Sequence, residues 1–244
     1  MNYDAIVIGS GCGGLSCAAA LALQGKKVLI LEHSDAPGGF ARTLSHGKWR
    51  WIAGLQYSGS LLPNGTDFKL MGLLTGGKLQ YKKLNAEFQK IKSPAGDFSL
   101  FGDFDQFQTY LEGRFPKEVD GIQKYFAILH KVRDAFPGTL MERWRERPIA
   151  ICGELLKSLP LMLDAIMTLQ LALDFHFKDE NLKFILSSMW SSWGVPPKKT
   201  PLMVAAGVAG TLLSGVYVPV LPDLASGFIE TVQKAGGTIL LGRA

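Results

Sequence analysis
A glycine-rich turn near the start of the chain constrains its fold more than any other feature. The apolar run Ala5–Ile8 precedes this turn, and Gly9, Gly11 and Gly14 follow in the spacing GxGxxG. An Ala/Leu-rich segment continues from the last glycine. Because β-branched residues favour strands while Ala and Leu favour helices, this order predicts a strand, a tight turn and a helix.

The three glycines have separate physical roles in a dinucleotide site. The first permits a tight turn, the second lets the backbone approach a pyrophosphate, and the third lets the helix pack closely on the strand. The helix N-terminus then offers unpaired N–H groups and a partial positive charge to the phosphates. Cys12 and Gly13 lie in the same loop, so both are candidate cofactor contacts. The alternative interpretation is an ordinary glycine-rich turn between a strand and a helix.

An acidic residue at the end of a second apolar run strengthens the dinucleotide interpretation. Gly25 stands where a helix C-cap is expected, and Lys27–Leu31 predicts a second buried strand. Glu32 ends that strand about twenty residues after the glycines, where an acid can bind ribose hydroxyls. An acid in this position favours FAD or NAD over a 2′-phosphorylated cofactor. An ordinary turn does not explain Glu32.

A second glycine turn follows closely. Pro37, Gly38 and Gly39 come so soon after the first turn that one extended ligand could contact both, which favours FAD over NAD. Arg42 and Thr43 follow, and an arginine beside such a turn could form a charge-assisted hydrogen bond with pyrophosphate. A surface arginine is the alternative interpretation of Arg42.

Four segments together resemble the FAD-dependent phytoene desaturase, carotenoid isomerase and retinol saturase superfamily, and the last two branches are the most similar. The segments read VIGSGCGGL, LILE, PGGFARTL and GLQYSG. The resemblance implies an FAD-dependent oxidoreductase that adds, removes or rearranges hydrogens on a long polyene or related lipid. NAD or NADP is an optional electron partner in this interpretation.

The chain departs from the pattern of that superfamily in a few positions. Phe40 stands where an arginine or small polar residue is common, and Ile52 stands where an acid commonly follows the aromatic residue. Gln56 replaces the histidine of a Gly-x-His-Tyr motif that ends at Tyr57. Gln56 and Tyr57 are therefore candidates for lining the flavin or substrate site. The substrate, the reaction direction and the catalytic residues stay open.

The expected fold class is α/β, a Rossmann-like FAD/NAD(P)-binding domain with an inserted α+β substrate domain, truncated relative to the family. We expect an FAD-binding segment over 1–60, a substrate or cap domain over 61–219 and an incomplete return to the FAD-binding domain over 220–244. Within the inserted domain the pattern predicts one small antiparallel sheet from Leu79–Leu84, Phe88–Lys92 and Phe98–Phe101, then helices at Asp105–Phe115 and Glu118–Phe136.

Two apolar stretches occupy the later part of the chain. Ile149–Phe177 is interrupted by charges and a proline, whereas Leu202–Pro222 carries no charge and is long enough to cross a bilayer. The glycines and β-branched residues of the second stretch predict a helix followed by a strand. We expect these stretches to line a tunnel or to lie against a membrane surface, with a hydrophobic core as the alternative. Asp223 is then predicted to cap a helix over Leu224–Lys234, and a strand follows over Thr238–Leu241.

Composition narrows the function classes. The net charge of +5 comes from 26 basic and 21 acidic residues that are spread along the chain, which argues against nucleic acid as a partner. Cys12, Cys17 and Cys152 have no metal-ligand spacing, and His130 and His176 have no ligating companions, so we expect no metal site. The cysteine usage and the lack of a secretory signal pattern before the first strand predict a cytoplasmic location, with peripheral membrane contact.

Two further interpretations stay open. One is an amine-oxidase-like flavoprotein, because the first glycine motif is shared with those enzymes. The other is a non-catalytic nucleotide-binding subunit or remnant that acts only with a partner. The resemblance covers about the first half of a typical family member, so a second polypeptide that supplies the C-terminal half is an expected partner.

Overall fold
The chain divides into two compact units. The computed structural model describes residues 2–54, 57–59, 65–135, 167–220 and 224–243. The first unit is Met1–Lys83 with Tyr217–Ala244, and the second is Leu84–Val216. The first boundary lies later than residue 60, because the segment 66–83 packs and pairs inside the first unit.

The described part of the first unit contains both strands and helices, while helices dominate the second unit. The strands are β1 (Ala5–Ile8), β2 (Val28–Leu31), β3 (Thr43–His46), β4 (Trp49–Ile52), β5 (Tyr81–Lys83), β6 (Glu87–Ser93), β7 (Gly96–Phe101), β8 (Tyr217–Pro219) and β9 (Thr238–Leu240). The helices are α1 (Cys12–Leu23), α2 (Thr66–Leu74), α3 (Phe104–Arg114), α4 (Val119–Ala135), α5 (Leu169–His176), α6 (Glu180–Ser187), α7 (Leu202–Leu213) and α8 (Leu224–Lys234).

A parallel sheet in the order β1-β2-β9 forms the framework of the first unit. The predicted strand, turn and helix at the start of the chain are confirmed as β1 and α1. Gly25 adopts a positive φ of 77° after α1 and donates its N–H to the Ala22 carbonyl, so the helix ends where the sequence predicts. The helix predicted over Leu224–Lys234 and the strand after it are confirmed as α8 and β9, while Asp223 lies outside the described residues.

Among the described residues, helices cover one face of this sheet, while β1 leaves apolar side chains exposed on the other face. Helices α1 and α8 pack against each other, and their small side chains meet the sheet in a core formed by Leu15, Ala18, Ala19, Ala22, Val28, Ile30, Ala225, Phe228 and Val232. On the opposite face, Ile6 is 61% exposed and Ile8 is 85% exposed. Parallel sheets are normally covered on both faces, so this exposure is unusual.

The antiparallel strands differ in part from the prediction. β6 and β7 form the expected hairpin, but β5 does not join them. β5 instead pairs with β8 in the first unit, so the prediction of one three-stranded antiparallel sheet is wrong. β3 and β4 form a hairpin that the sequence analysis did not predict.

Aromatic side chains hold the second unit together. Helix α4 buries Ile122, Phe126 and Leu129, and Phe107 of α3 lies 5.9 Å from Phe126 between ring centroids. Helix α7 packs along α4. The helix and strand predicted within the second apolar stretch are confirmed as α7 and β8.

The apolar stretches contain no membrane-spanning element in the part of the chain that the structure describes. None of the described helices combines the length and the apolar character needed to cross a bilayer. The first stretch, Ile149–Phe177, lies outside the described residues up to position 166, and its last part forms α5.

Candidate dinucleotide site
The first glycine loop has the geometry that a phosphate-binding turn requires. Gly9 adopts a φ of 91° and donates its N–H to the Leu31 carbonyl at 2.7 Å, which fixes the turn against β2. A Cβ on Gly14 would overlap the Gly9 carbonyl, so only glycine allows this approach of helix to turn. Gly11 is the N-cap of α1, and Cys12 and Gly13 begin the helix with exposed positions. The N–H groups of this first turn have no partner within the helix and can donate hydrogen bonds to an anion.

Glu32 lies directly after β2 and is held by a set of hydrogen bonds. Its residue is 8% exposed. Oε2 accepts hydrogen bonds from the Ser10 hydroxyl and, at 2.7 Å, from the Ser10 N–H, while Oε1 accepts from the Ser34 N–H at 2.8 Å. These donors, chiefly the Ser10 hydroxyl, lower the pKa of Glu32 to about 2. The side chain is therefore a fixed carboxylate at neutral pH.

The second glycine turn lies against the first loop. Gly38 and Gly39 have φ values of 109° and 53°, and a Cβ on Gly39 would lie 3.1 Å from the Gly11 Cα. The Gly38 N–H donates to the Ser10 Oγ at 3.0 Å. The structure thus brings the two turns and Glu32 into one site, as the sequence spacing predicts for a single extended ligand.

Arg42 and Thr43 follow the second turn and have unused hydrogen-bonding capacity. Arg42 is half-buried, and its guanidinium has no carboxylate partner among the described residues. Thr43 begins β3, and its buried Oγ1 has no hydrogen-bond partner in the described part of the chain. A cation that follows the second glycine turn so closely in sequence suits a phosphate-containing ligand.

The remaining sequence candidates for the site are Gln56 and Tyr57, and Cys12 also has a side chain at the start of α1. Gln56 lies outside the described residues. Tyr57 is half-buried beside Ser58, which exchanges two backbone hydrogen bonds with Tyr217. Desolvation raises the pKa of the Cys12 thiol, so a neutral sulfur lies at the start of α1.

Sequence reasoning missed Ser10. This residue is completely buried and contacts both Glu32 and the second turn. The available signal was a small polar residue between the first two glycines together with an acid at the end of the next strand.

The residues present fit an adenine dinucleotide. Open space lies beside Gly11 at the helix N-terminus, which provides donors, and Glu32 provides a fixed carboxylate acceptor for a ribose hydroxyl.

Known proteins share similarity with the glycine-loop segment and with most of the chain. The family described as "NAD(P)-binding Rossmann-like domain" matches residues 7–69, which include both glycine turns and Glu32. All-trans-retinol 13,14-reductase from Homo sapiens is 26% identical over 249 residues, covering 98% of this chain and 41% of the relative. An inactive all-trans-retinol 13,14-reductase from Danio rerio is also 26% identical. Chloroplastic prolycopene isomerase from Daucus carota is 29% identical over 165 residues, covering 64% of this chain and 26% of the relative.

Solved structures of low sequence identity share the fold. An oxidoreductase from Methanosarcina mazei superposes with a TM-score of 0.62 at 17% identity, covering 98% of this chain and 51% of that chain. A putrescine oxidase superposes with a TM-score of 0.61 at 16% identity, covering 98% of this chain and 50% of that chain.

These findings confirm the resemblance to the retinol saturase and carotenoid isomerase branch. The relatives named above are retinol reductases and a prolycopene isomerase, and the fold is shared with a solved oxidoreductase and a putrescine oxidase. The match to a Rossmann-like domain supports a nucleotide or flavin cofactor. The chain spans less than half the length of the reductases it matches.

Proposed function
We propose that this chain forms the dinucleotide-binding part of an FAD-dependent oxidoreductase that acts on a lipophilic polyene or isoprenoid. The reaction class is desaturation, saturation or isomerisation of C=C bonds. One observation supports this proposal most directly: the first glycine loop, the second glycine turn and the Glu32 carboxylate lie together in one site. Polyene chemistry is supported by the names of the relatives, a retinol reductase and a prolycopene isomerase.

Each part of the site has a defined task in this proposal. Glu32 accepts hydrogen bonds from the ribose hydroxyls of the adenosine end, and the N-terminus of α1 with Gly11, Cys12 and Gly13 binds the pyrophosphate. The second turn, with Gly38, Gly39, Arg42 and Thr43, extends the site beyond what a short ligand needs, which favours FAD. The residues named in this paragraph are the proposed cofactor contacts, and Gly9 and Gly14 shape the first turn.

The bound flavin would supply hydride or electron transfer, and the chain's own residues bind and orient it and exclude water. Gln56 and Tyr57 are proposed to line the flavin or substrate site. NAD or NADP is the proposed external electron partner. For function we propose the sequence-based ranges, 1–60 and 220–244 for cofactor binding and 61–219 for the substrate, whereas the compact units divide after Lys83 and before Tyr217.

A lipophilic substrate implies access from a membrane surface. Helix α5 exposes Leu171 (58%) and Phe175 (80%), which lie four residues apart and so share one side of the helix. This apolar pair supports peripheral membrane contact of a cytoplasmic protein.

The uncovered face of the parallel sheet supports a covering polypeptide. Ile6 and Ile8 offer apolar surface beside β1, and burial of such side chains is favourable by about 1.5–3 kcal/mol each. We propose that a further segment or a second chain, equivalent to the additional length of the relatives, covers this face.

The test is to identify the cofactor and then the substrate. The purified chain is denatured, and any released cofactor is identified chromatographically. The chain, alone and with a candidate covering polypeptide, is then mixed with reduced or oxidised FAD and with all-trans-retinol or prolycopene. Polyene turnover that depends on FAD supports the proposal.

Two alternatives have specific support. The putrescine oxidase fold match favours an amine-oxidase-like flavoprotein, which amine turnover without polyene turnover would establish. The inactive relative from Danio rerio favours a non-catalytic subunit, which stable association with a partner and no cofactor binding would establish.

A further inference from the structure
A buried serine connects three separate segments of the candidate site. Ser10 is 0% exposed and lies between the first two glycines of the loop. Its N–H and its hydroxyl both contact Glu32, 22 positions later, and its hydroxyl also contacts Gly38, 28 positions later. The roles proposed above for the glycines, Glu32 and Arg42 do not use this side chain.

The donors and acceptors of the Ser10 hydroxyl determine the direction of its hydrogen bonds. A hydroxyl has one proton and two lone pairs. Because the Glu32 carboxylate can only accept, the Ser10 proton is directed to Glu32 Oε2, and an Oγ lone pair accepts the Gly38 N–H at 3.0 Å. The orientation of the hydroxyl is therefore fixed by its two partners.

The same arrangement divides the two oxygens of Glu32 between separate tasks. Oε2 accepts two donors from Ser10, whereas Oε1 accepts the Ser34 N–H at 2.8 Å. A carboxylate has about four acceptor positions, so about one position is left for a ribose hydroxyl after these three bonds. The carboxylate does not have to be ordered when the ligand arrives, and such pre-organisation lowers the entropic cost of binding.

We propose that Ser10 is a positioning residue, which orients the Glu32 carboxylate toward the ribose of an adenine dinucleotide and holds the second glycine turn against the first loop. The inference rests on the proposed dinucleotide function and deepens it. Ser10 itself contacts no ligand in this account. Its effect on binding passes through Glu32 and Gly38.

The test uses the whole chain and two independent readouts. The first is calorimetric titration with ADP and with FAD, and the second is the Glu32 carboxyl titration followed by ¹³C NMR without ligand. In Ser10→Ala we expect ADP and FAD to bind about tenfold more weakly, the effect of one charge-assisted hydrogen bond. We also expect the pKa of Glu32 to rise from about 2 toward its ordinary value.

Matched variants separate positioning from general damage. Ser45→Ala removes an exposed hydroxyl from β3 and should change neither readout. A double-mutant cycle of Ser10→Ala with Glu32→Gln should be non-additive for ADP affinity, because Ser10 acts through Glu32. Ser10→Thr retains the hydroxyl and should restore a low pKa of Glu32.

The outcomes distinguish this inference from the function on which it rests. Unchanged ADP affinity in a folded Ser10→Ala, or additive effects in the cycle, would overturn the positioning role. An ordinary Glu32 pKa in the wild-type chain would also overturn it, whether or not Ser10→Ala folds. If the folded wild-type chain binds neither ADP nor FAD while Glu32 keeps its low pKa, the dinucleotide function fails and the Ser10–Glu32 bond stands.

Discussion

Two parts of the parallel sheet in the first unit differ in how far the described residues bury them. These parts are the carboxyl ends of its strands and the face opposite α1 and α8. At the carboxyl ends of its strands, Ser10 is fully buried and Glu32 is 8% exposed, and each has its hydrogen-bond partners. On the face opposite α1 and α8, Ile6 and Ile8 are 61% and 85% exposed. The cofactor end of the site is thus formed by residues of this chain, whereas the sheet that supports it has one apolar face without cover among the described residues.

The glycine turns with Glu32 and the exposed sheet face are stabilised by different kinds of contact. The binding corner depends on short-range geometry within the strand–turn–helix unit, including glycine conformations and one buried carboxylate. The exposed face would need another layer, because strands of a parallel sheet are apolar on both sides. We therefore expect binding and full catalytic activity to separate in experiments on this chain.

The largest expected effect comes from closing the space at Gly14. A Cβ there would overlap the Gly9 carbonyl, and backbone atoms cannot yield as a flexible side chain can. We expect Gly14→Val to lower the free energy of unfolding by about 3 kcal/mol or more and to abolish dinucleotide binding. Urea unfolding measures the change. Gly72→Ala is the control, since nothing lies within 4 Å of that Cβ, and a similar loss in both variants would contradict the account.

Removal of the carboxylate should weaken the adenosine end of the site. Glu32→Ala leaves the ribose without its acceptor and the Ser10 hydroxyl without its partner. We expect ADP and FAD to bind more weakly by about 1.5–3 kcal/mol, the range for hydrogen bonds to charged groups. Calorimetric titration measures this change, with Glu180→Ala, an exposed acid in the second unit, as control. Unchanged affinity would refute the ribose assignment.

The free energy of unfolding should depend on the ionisation of Glu32 at acid pH. Folding lowers the pKa of Glu32 from its ordinary value of 4.5 to about 2, mainly because the Ser10 hydroxyl donates to it. The resulting stabilisation is fully present above pH 4.5 and is lost as the pH falls toward 2. The stability difference between wild type and Glu32→Gln should therefore shrink across this window. Denaturant midpoints at several pH values test it, and a constant difference would contradict the assigned hydrogen bonds.

The smallest effect is expected on the uncovered face. Ile8→Thr should change the free energy of unfolding by less than about 0.5 kcal/mol in the isolated chain, as is usual for exposed positions. The matched change Ile30→Thr, at a fully buried position of the same sheet, should cost about 2 kcal/mol or more. A covering polypeptide should raise the cost of Ile8→Thr. Equal costs in the isolated chain would show that the two faces are covered alike.

Local sequence patterns predicted the binding corner well but not the longer-range pairings. The strand, the glycine turn, α1 and β2 follow from spacing, since each glycine position is fixed by its neighbours along the chain. The pairing of β5 with β8 joins segments more than a hundred residues apart, and no local period indicates that pairing. The β3–β4 hairpin turns at Gly47, which has a φ of 56°. A glycine between two short strand-like segments is a local signal for such a hairpin.

The site residues show the same limit. Glu32 was identifiable because an acid at the end of the second strand has a fixed distance from the glycines. Ser10 was not, because its importance depends on Gly38 and Glu32 meeting around one hydroxyl in three dimensions. Thr43 was predicted from its place beside the second turn, but its unpaired buried oxygen is visible only in the structure.

The proposed function depends on the two glycine turns and Glu32, which should form an adenine dinucleotide site within this chain. The most direct measurement is titration of the purified, folded chain with FAD, followed by flavin fluorescence and by competition with ADP. The account predicts saturation at one FAD per chain, displacement by ADP and weaker binding in Glu32→Ala. A folded chain that binds neither FAD nor ADP would contradict it.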